Sequence, residues 1–125
     1  MVTVLIVEDE FAISDLLEMV LTDEGYRVLT AVNGCQGLQR LADGPRPDLV
    51  ISDLMMPVLD GVGMLLAMRE IELQRDIPCI VMSSMPEANV QDRIGNYAAF
   101  VRKPFKLAAM VQLVATILAG PKSEP

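Results

Sequence analysis

Three short apolar runs, none with polar alternation, constrain this chain more than any other feature. Thr3-Val4-Leu5-Ile6-Val7 stops abruptly at Glu8-Asp9-Glu10, Asp48-Leu49-Val50-Ile51-Ser52-Asp53 stops at a carboxylate, and Ile77 to Met82 stops at Ser83-Ser84. A run of this kind, β-branched and apolar throughout, describes a strand covered on both faces. Tyr26 to Val32 and Tyr97 to Arg102 read as two more strands, the latter ending in Lys103-Pro104. Helical periods separate them. Ile13, Leu16, Leu17 and Val20 fall at i, i+3, i+4 and i+7, and Gly25 is placed to close that helix in a left-handed conformation. Asn33-Gly34 signals a turn, and Cys35 to Ala42 reads as a short helix weakened by Gly37. Asp60 is the natural N-cap of a helix carrying Met64, Leu65 and Met68. Ser84-Met85-Pro86-Glu87 fits a capping box with proline at the first helical position, opening a helix that stops near Gly95. Leu107, Met110, Val111, Val114, Ile117 and Leu118 mark the last helix, followed by a polar tail expected to fray.

Five strand-then-helix units give an α/β fold, a doubly wound parallel sheet with helices on both faces and right-handed crossovers. A strand order of 2-1-3-4-5, the flavodoxin-like arrangement, is taken by analogy with other doubly wound sheets. The 125 residues suit one domain, residues 1–120, with 121–125 as a tail. Hydrophobic residues make up 52% and aromatics only 4%, so the core must be aliphatic. The net charge is −7, which argues against direct binding of nucleic acid, a task that needs a basic face. With no histidine, no mechanism can use a histidine base, nucleophile or ligand. No apolar run exceeds five residues, so no membrane insertion is expected, and the N-terminus lacks the basic start of a signal peptide. Cys35 and Cys79 are far apart and outside any Cys-x-x-Cys, so both read as small buried hydrophobes in a reducing, cytoplasmic setting.

The polar residues that interrupt this pattern all fall at carboxyl ends of strands, where ligands bind in open α/β sheets. Glu8 and Asp9 follow strand one, Asp53 ends strand three, Ser83 ends strand four and Lys103 ends strand five. In the order 2-1-3-4-5 the three carboxylates meet where the winding reverses. Three converging carboxylates repel one another and need compensation, by protonation or, better at pH 7, by a hard divalent cation. Two carboxylates, a backbone carbonyl and a phosphate oxygen suit Mg2+. A lysine and a serine hydroxyl beside them complete the equipment for transferring a phosphoryl group onto a carboxylate.

Val7-Glu8-Asp9-Glu10, Ser52-Asp53 followed by Met56-Pro57 and Asp60-Gly61, then Met82-Ser83-Ser84, then Lys103-Pro104-Phe105 resemble the receiver domain of two-component response regulators. The resemblance runs from residue 3 to about 118, and the pieces are specific because they occur in this order at successive strand ends. It implies that Asp53 is the phosphoacceptor, taking a phosphoryl group from the phosphohistidine of a sensor histidine kinase or histidine phosphotransfer domain. It implies that Asp9 and Asp53 ligate Mg2+ directly, joined by the backbone carbonyl of Met55, while Glu8 acts mostly through a water. Lys103 would contact Asp53 at rest and the phosphoryl group afterwards, with a cis bond to Pro104. Ser83 would be the switch hydroxyl and Phe100 the aromatic switch residue, changing the surface of helix 4, strand 5 and helix 5. A downstream protein or output domain would read that surface. The implied cofactor is Mg2+, and the implied protein is a switch rather than an enzyme with turnover.

The chain departs from the family pattern in places. Phenylalanine is less common than tyrosine at position 100, and Ser83 lacks threonine's methyl group. The stretch from Ser83 to Lys103 is short for the family, so residues 85–96 are expected to be the most mobile ordered segment. Met55 and Met85, two residues past Asp53 and Ser83, are apolar and cannot orient an attacking water, so slow self-dephosphorylation is expected. The first helix, with no Lys or Arg before Arg27, is a candidate partner face.

Plainer readings exist for each residue alone. Glu8 to Glu10 suit a solvated helix start, Asp53 a loop cap, Ser83 a turn hydroxyl and Lys103 a surface lysine. Together they require four coincidences at four strand ends. A magnesium-dependent phosphohydrolase with an aspartyl nucleophile is one rival, although such enzymes carry a second acid where this chain has Met55. An FMN binder is another, although Glu8-Asp9-Glu10 would repel its phosphate. A third is a receiver-like binding module that works without phosphorylation.

Overall fold

The structure, a computed structural model, describes residues 1–54, 60–91 and 94–120. Met55, Met56 and Pro57 and the tail 121–125 lie outside the described residues. The elements alternate as expected: β1 (Thr3–Val7), α1 (Phe11–Asp23), β2 (Arg27–Ala31), α2 (Gly34–Asp43), β3 (Leu49–Asp53), α3 (Gly61–Arg69), β4 (Cys79–Ser83), α4 (Glu87–Gln91), β5 (Ala99–Arg102) and α5 (Leu107–Ala119). The five strands are parallel in the order β2-β1-β3-β4-β5.

The unalternated runs are explained by two-sided burial. Every residue of β1, β3 and β4 is buried. Side chains alternate across the pleat. Val4, Ile6, Leu49, Ile51, Ile80 and Met82 therefore face α1 and α5, where they meet Leu17, Leu21, Met110 and Val114. Leu5, Val7, Val50 and Val81 face the other way, onto α2, α3 and α4, through Leu41, Met64, Met68 and Val90. Winding reverses beside β1, which lies between β2 and β3, and opens a crevice at the carboxyl edge.

Local signals act as read at several points. Gly25 takes φ +96° at the end of α1, and the Asp60 carboxylate accepts the Gly63 N–H at 3.0 Å to cap α3. Asn33 is more than a turn residue, because its side chain caps α2 by accepting from Gln36 N–H at 2.8 Å. Gly37, expected to weaken that helix, is there for packing: a Cβ would lie 2.7 Å from Met64 Sδ and 3.2 Å from Val7.

Three expectations need correction. β2 is shorter than Tyr26–Val32, because the Tyr26 N–H bonds back to Leu21 O in the end of α1. The capping box does not form as read: α4 starts at Glu87, so Glu87 is the first helical residue, and its carboxylate accepts the Tyr97 hydroxyl at 2.8 Å. α4 is described as far as Gln91; residues 92 and 93 lie outside the described residues, and the Ile94 N–H still bonds to Val90 O at 2.9 Å, one helical turn back. Cys79 is buried, and burial pushes its thiol up to about 12, but Cys35 is exposed. The helical period of α2 turns Gly34, Gly37 and Leu41 inward and leaves Cys35 outside. Among the described residues no helix is long and apolar enough to cross a membrane.

Candidate functional site

The strand ends bring the acidic residues together. Glu8 and Asp9 leave β1 and Asp53 closes β3, its neighbour in the sheet. One carboxylate oxygen from each of the three lies within 4.8 Å of the others. Backbone bonds hold the frame: Glu8 N–H to Ala31 O at 3.0 Å, Leu54 N–H to Met82 O at 3.0 Å, and Lys103 N–H to Ser83 O at 2.8 Å. Gly61 presses α3 against the same strand end, where a Cβ would sit 2.4 Å from Asp53 O. Only a glycine admits that approach.

Lys103 follows β5, its bond to Pro104 is cis, and its ammonium reaches across the crevice. It donates to Glu8 Oε1 at 2.9 Å and lies 3.3 Å from Asp53 Oδ1 and 3.4 Å from Glu10 Oε1. The second Glu8 oxygen accepts the Glu10 N–H at 3.1 Å. The contact with Asp53 is the one expected at rest. The contacts with Glu8 and Glu10 were not foreseen, because nothing in the spacing says which acid a lysine 93 residues away will meet. Glu10, expected only as part of the acidic loop, is thus a site residue.

Charge within the site is unbalanced. Glu8 is fully buried and Asp53 is 5% exposed. Burial raises the Glu8 carboxyl above its ordinary value, and the hydrogen bond from Lys103 only partly opposes this. Burial likewise raises Asp53, against the attraction of Lys103. Burial lowers Lys103, but the Glu8 hydrogen bond and the charge of Asp53 outweigh it, so its ammonium holds its proton above the ordinary 10.5. One ammonium paired with Glu8, Glu10 and Asp53, with Asp9 clustered beside them, leaves excess negative charge that a cation would offset. The donor set fits a hard divalent ion. Oxygens about 2.1 Å from an octahedral centre stand about 3.0 Å apart when adjacent and about 4.2 Å apart when opposite, so small side-chain movements would close the cluster on one ion.

Ser83 is buried at the end of β4, where its Oγ accepts the Met85 N–H at 3.0 Å. That bond uses a lone pair and does not consume the hydroxyl's own proton. Phe100 pairs with Val81 across the β4–β5 ladder, is half-buried, and stands against Tyr97 with ring centroids 6.4 Å apart. The expected metal contact from the Met55 carbonyl lies outside the described residues. Sequence reasoning missed the apolar flank of the site. Leu16, placed by its spacing on the apolar stripe of the first helix, is 44% exposed, and with Ile13, Phe105 and Leu107 it walls an open cavity beside Asp9, Asp53 and Lys103. Its i+3 spacing from Ile13 was the available signal.

Comparison with known proteins agrees with this geometry. Residues 4–115 match the response regulator receiver domain family. The transcriptional regulatory protein PrrA of Mycobacterium tuberculosis is 38% identical over 119 residues, which are 92% of this chain and 49% of PrrA. The chain spans about half the length of the curated relatives it matches. Among solved structures, the receiver domain of a signal transduction histidine kinase from Syntrophus aciditrophicus superposes with a TM-score of 0.87 at 30% identity, covering 100% of this chain and 96% of that one. Response regulator protein TrrA from Thermotoga maritima, solved in complex with Mg2+-BeF, gives 0.80 at 29% identity over 92% of this chain and 97% of its own. A buried acidic cluster paired with Lys103 at the edge of a 2-1-3-4-5 sheet, together with a family match over nearly the whole sequence, makes this chain a member of the response regulator receiver domain family.

Proposed function

We propose that the chain is a phosphoacceptor switch, taking a phosphoryl group onto Asp53 from the phosphohistidine of a kinase or histidine phosphotransfer partner. The observation that carries this reading is the Asp53 carboxylate, nearly buried, 3.3 Å from the Lys103 ammonium and clustered with Glu8 and Asp9. An Asp53 oxygen forms the new bond to phosphorus as the bond to the donor nitrogen breaks, and the imidazole leaves with the electron pair. Lys103 holds Asp53 in place beforehand and can then shift to a phosphoryl oxygen. The Ser83 hydroxyl can donate to another. Asp9 and Asp53, with the Met55 carbonyl and, through water, Glu8, would hold Mg2+, which supplies charge neutralisation at the phosphoryl oxygens. The Mg2+-BeF complex of TrrA supports this assignment.

The new phosphoryl charge, about −1.5 to −2, then acts on Ser83 and Phe100 and alters the α4–β5–α5 surface for a downstream protein or output domain. On this reading the chain modifies itself once per cycle and turns over no separate substrate. Its phosphoryl group is long-lived, because Met85, half-buried against the core, orients no water. Incubation with acetyl phosphate and Mg2+ followed by intact mass measurement should show the gain of one phosphoryl group, and Asp53→Ala should abolish it. No gain, or a gain that survives Asp53→Ala, would reject the assignment.

A further inference from the structure

The site has an apolar side that the phosphoryl chemistry itself does not require. Asp53 and Lys103 border an open cavity of about 610 Å³. Its apolar wall comes from Ile13 and Leu16 of α1 and from Pro104, Phe105 and Leu107 at the start of α5. That volume is in the range of sites that hold small organic ligands. Leu16 is 44% exposed, so covering it removes apolar surface from water.

The chemistry of the acceptor limits what can lie there. A phosphorylated aspartate is a mixed anhydride. A phosphate ester is too stable to pass its phosphoryl group to a carboxylate, whereas exchange between one acyl phosphate and another is nearly thermoneutral. Such a donor carries a phosphoryl group and an acyl body on opposite sides of one bridging oxygen. With the phosphoryl group at Asp53 and Lys103, the acyl body has the apolar wall beside it.

We infer that the cavity is a subsite for the acyl chain of a small acyl phosphate, and that the protein favours a four-carbon donor over a two-carbon one. The inference rests on the phosphoacceptor reading above. In the step, an Asp53 oxygen bonds to phosphorus and the bridging P–O bond breaks. The acyl carboxylate leaves with the electron pair, and no proton moves.

Acetyl, propionyl and butyryl phosphate release carboxylates of nearly equal basicity, so rate differences among them report contact with the wall. The full chain, with Mg2+, is incubated with each at the same low concentration, and phosphorylated protein is followed by intact mass. Each buried methylene is worth roughly fourfold at full burial. An open cavity gives less, so butyryl phosphate should react about fivefold faster than acetyl phosphate, with propionyl phosphate between. Leu16→Ser, at a half-exposed position that tolerates a polar side chain, should bring the butyryl-to-acetyl ratio toward one, and Leu107→Ala should do so independently. If acetyl phosphate loads Asp53 but the ratio is one in the unaltered protein, the acyl subsite is wrong and the phosphoacceptor reading stands. A ratio that survives both substitutions overturns the subsite as well. If no donor loads Asp53, both readings fall together.

Discussion

β1 and β3, which carry Glu8, Asp9 and Asp53, are buried along their whole length, with helices on both faces. At the other end of the sheet, β5 has four residues, half-buried as far as Val101 and exposed at Arg102, and α4 before it has five described residues. α4 is pinned to the core mainly by Val90 and, just beyond it, Ile94. Hydrogen bonds of the described residues on and beside it are exposed: Tyr97 to Glu87, Arg102 to the Ser84 carbonyl, and the Arg69 guanidinium to the Gly95 carbonyl. A five-residue helix has almost no stability of its own, and exposed bonds add little. Phosphoryl chemistry needs fixed distances, and its residues leave the most completely covered strands. A surface that must change with phosphorylation is better made where opening costs less.

The largest effect that can break this contrast is in hydrogen exchange. Amides of β1 and β3 should exchange only on global unfolding, and those of Glu87 to Gln91 by local opening, a difference of about 5 kcal/mol or more in opening free energy. Equal protection would erase the distinction between the two regions. Next is Gly61→Ala. A Cβ there would lie 2.4 Å from Asp53 O and 2.9 Å from Leu54 Cα, both backbone, so denaturant unfolding should show a loss of about 3 kcal/mol. A loss under about 1 kcal/mol would mean that the site end is more yielding than its packing indicates.

Acidity gives a smaller effect of definite sign. Glu8 and Asp53 are raised by burial, so the folded chain binds these protons more tightly than the unfolded chain. Their cost to stability is fully present at neutral pH and is relieved as pH falls through the raised values toward the ordinary carboxylate range. Lys103, raised by its acidic partners, stabilises below its ordinary 10.5 and loses that contribution as pH rises through its higher folded value. In the absence of divalent ions, the melting midpoint should therefore rise on going from neutral to mildly acidic pH, less steeply in Glu8→Gln, and Mg2+ should raise it at neutral pH. Identical slopes in the two proteins would remove Glu8 as a source. The smallest effect belongs to Gly95→Ala in the turn before β5. A Cβ there meets no described residue within 4 Å, so the change should stay within about 0.5 kcal/mol of zero. Its contrast with Gly61→Ala compares the two regions with one chemical change.

Much of the site was legible because parallel α/β sheets put function at strand ends. Glu8, Asp9, Asp53, Ser83 and Lys103 could each be placed by finding where an apolar run stops. Glu10 was not legible, because its contact with Lys103 depends on how far an ammonium reaches across the crevice. The apolar flank was hidden for a related reason: Leu16 obeys the helical period of core residues, and only the packing of α1 beside the start of α5 leaves it at a cavity. The capping box failed because Glu87 begins α4 and bonds to Tyr97 across the turn, a contact that local propensity does not register.

Local sequence by itself determined the alternation of strand and helix, the two-sided burial of β1, β3 and β4, and the polar residue at each strand end, since periodicity and side-chain chemistry act within a few residues. Tertiary structure alone decided that Glu8 is fully buried while Glu10 stays at the surface, that one ammonium is shared among three acids from two segments, and that Cys35 faces out while Cys79 faces in. Those outcomes depend on which surfaces are brought together when the sheet winds in both directions from β1, and residues far apart in the chain set them jointly.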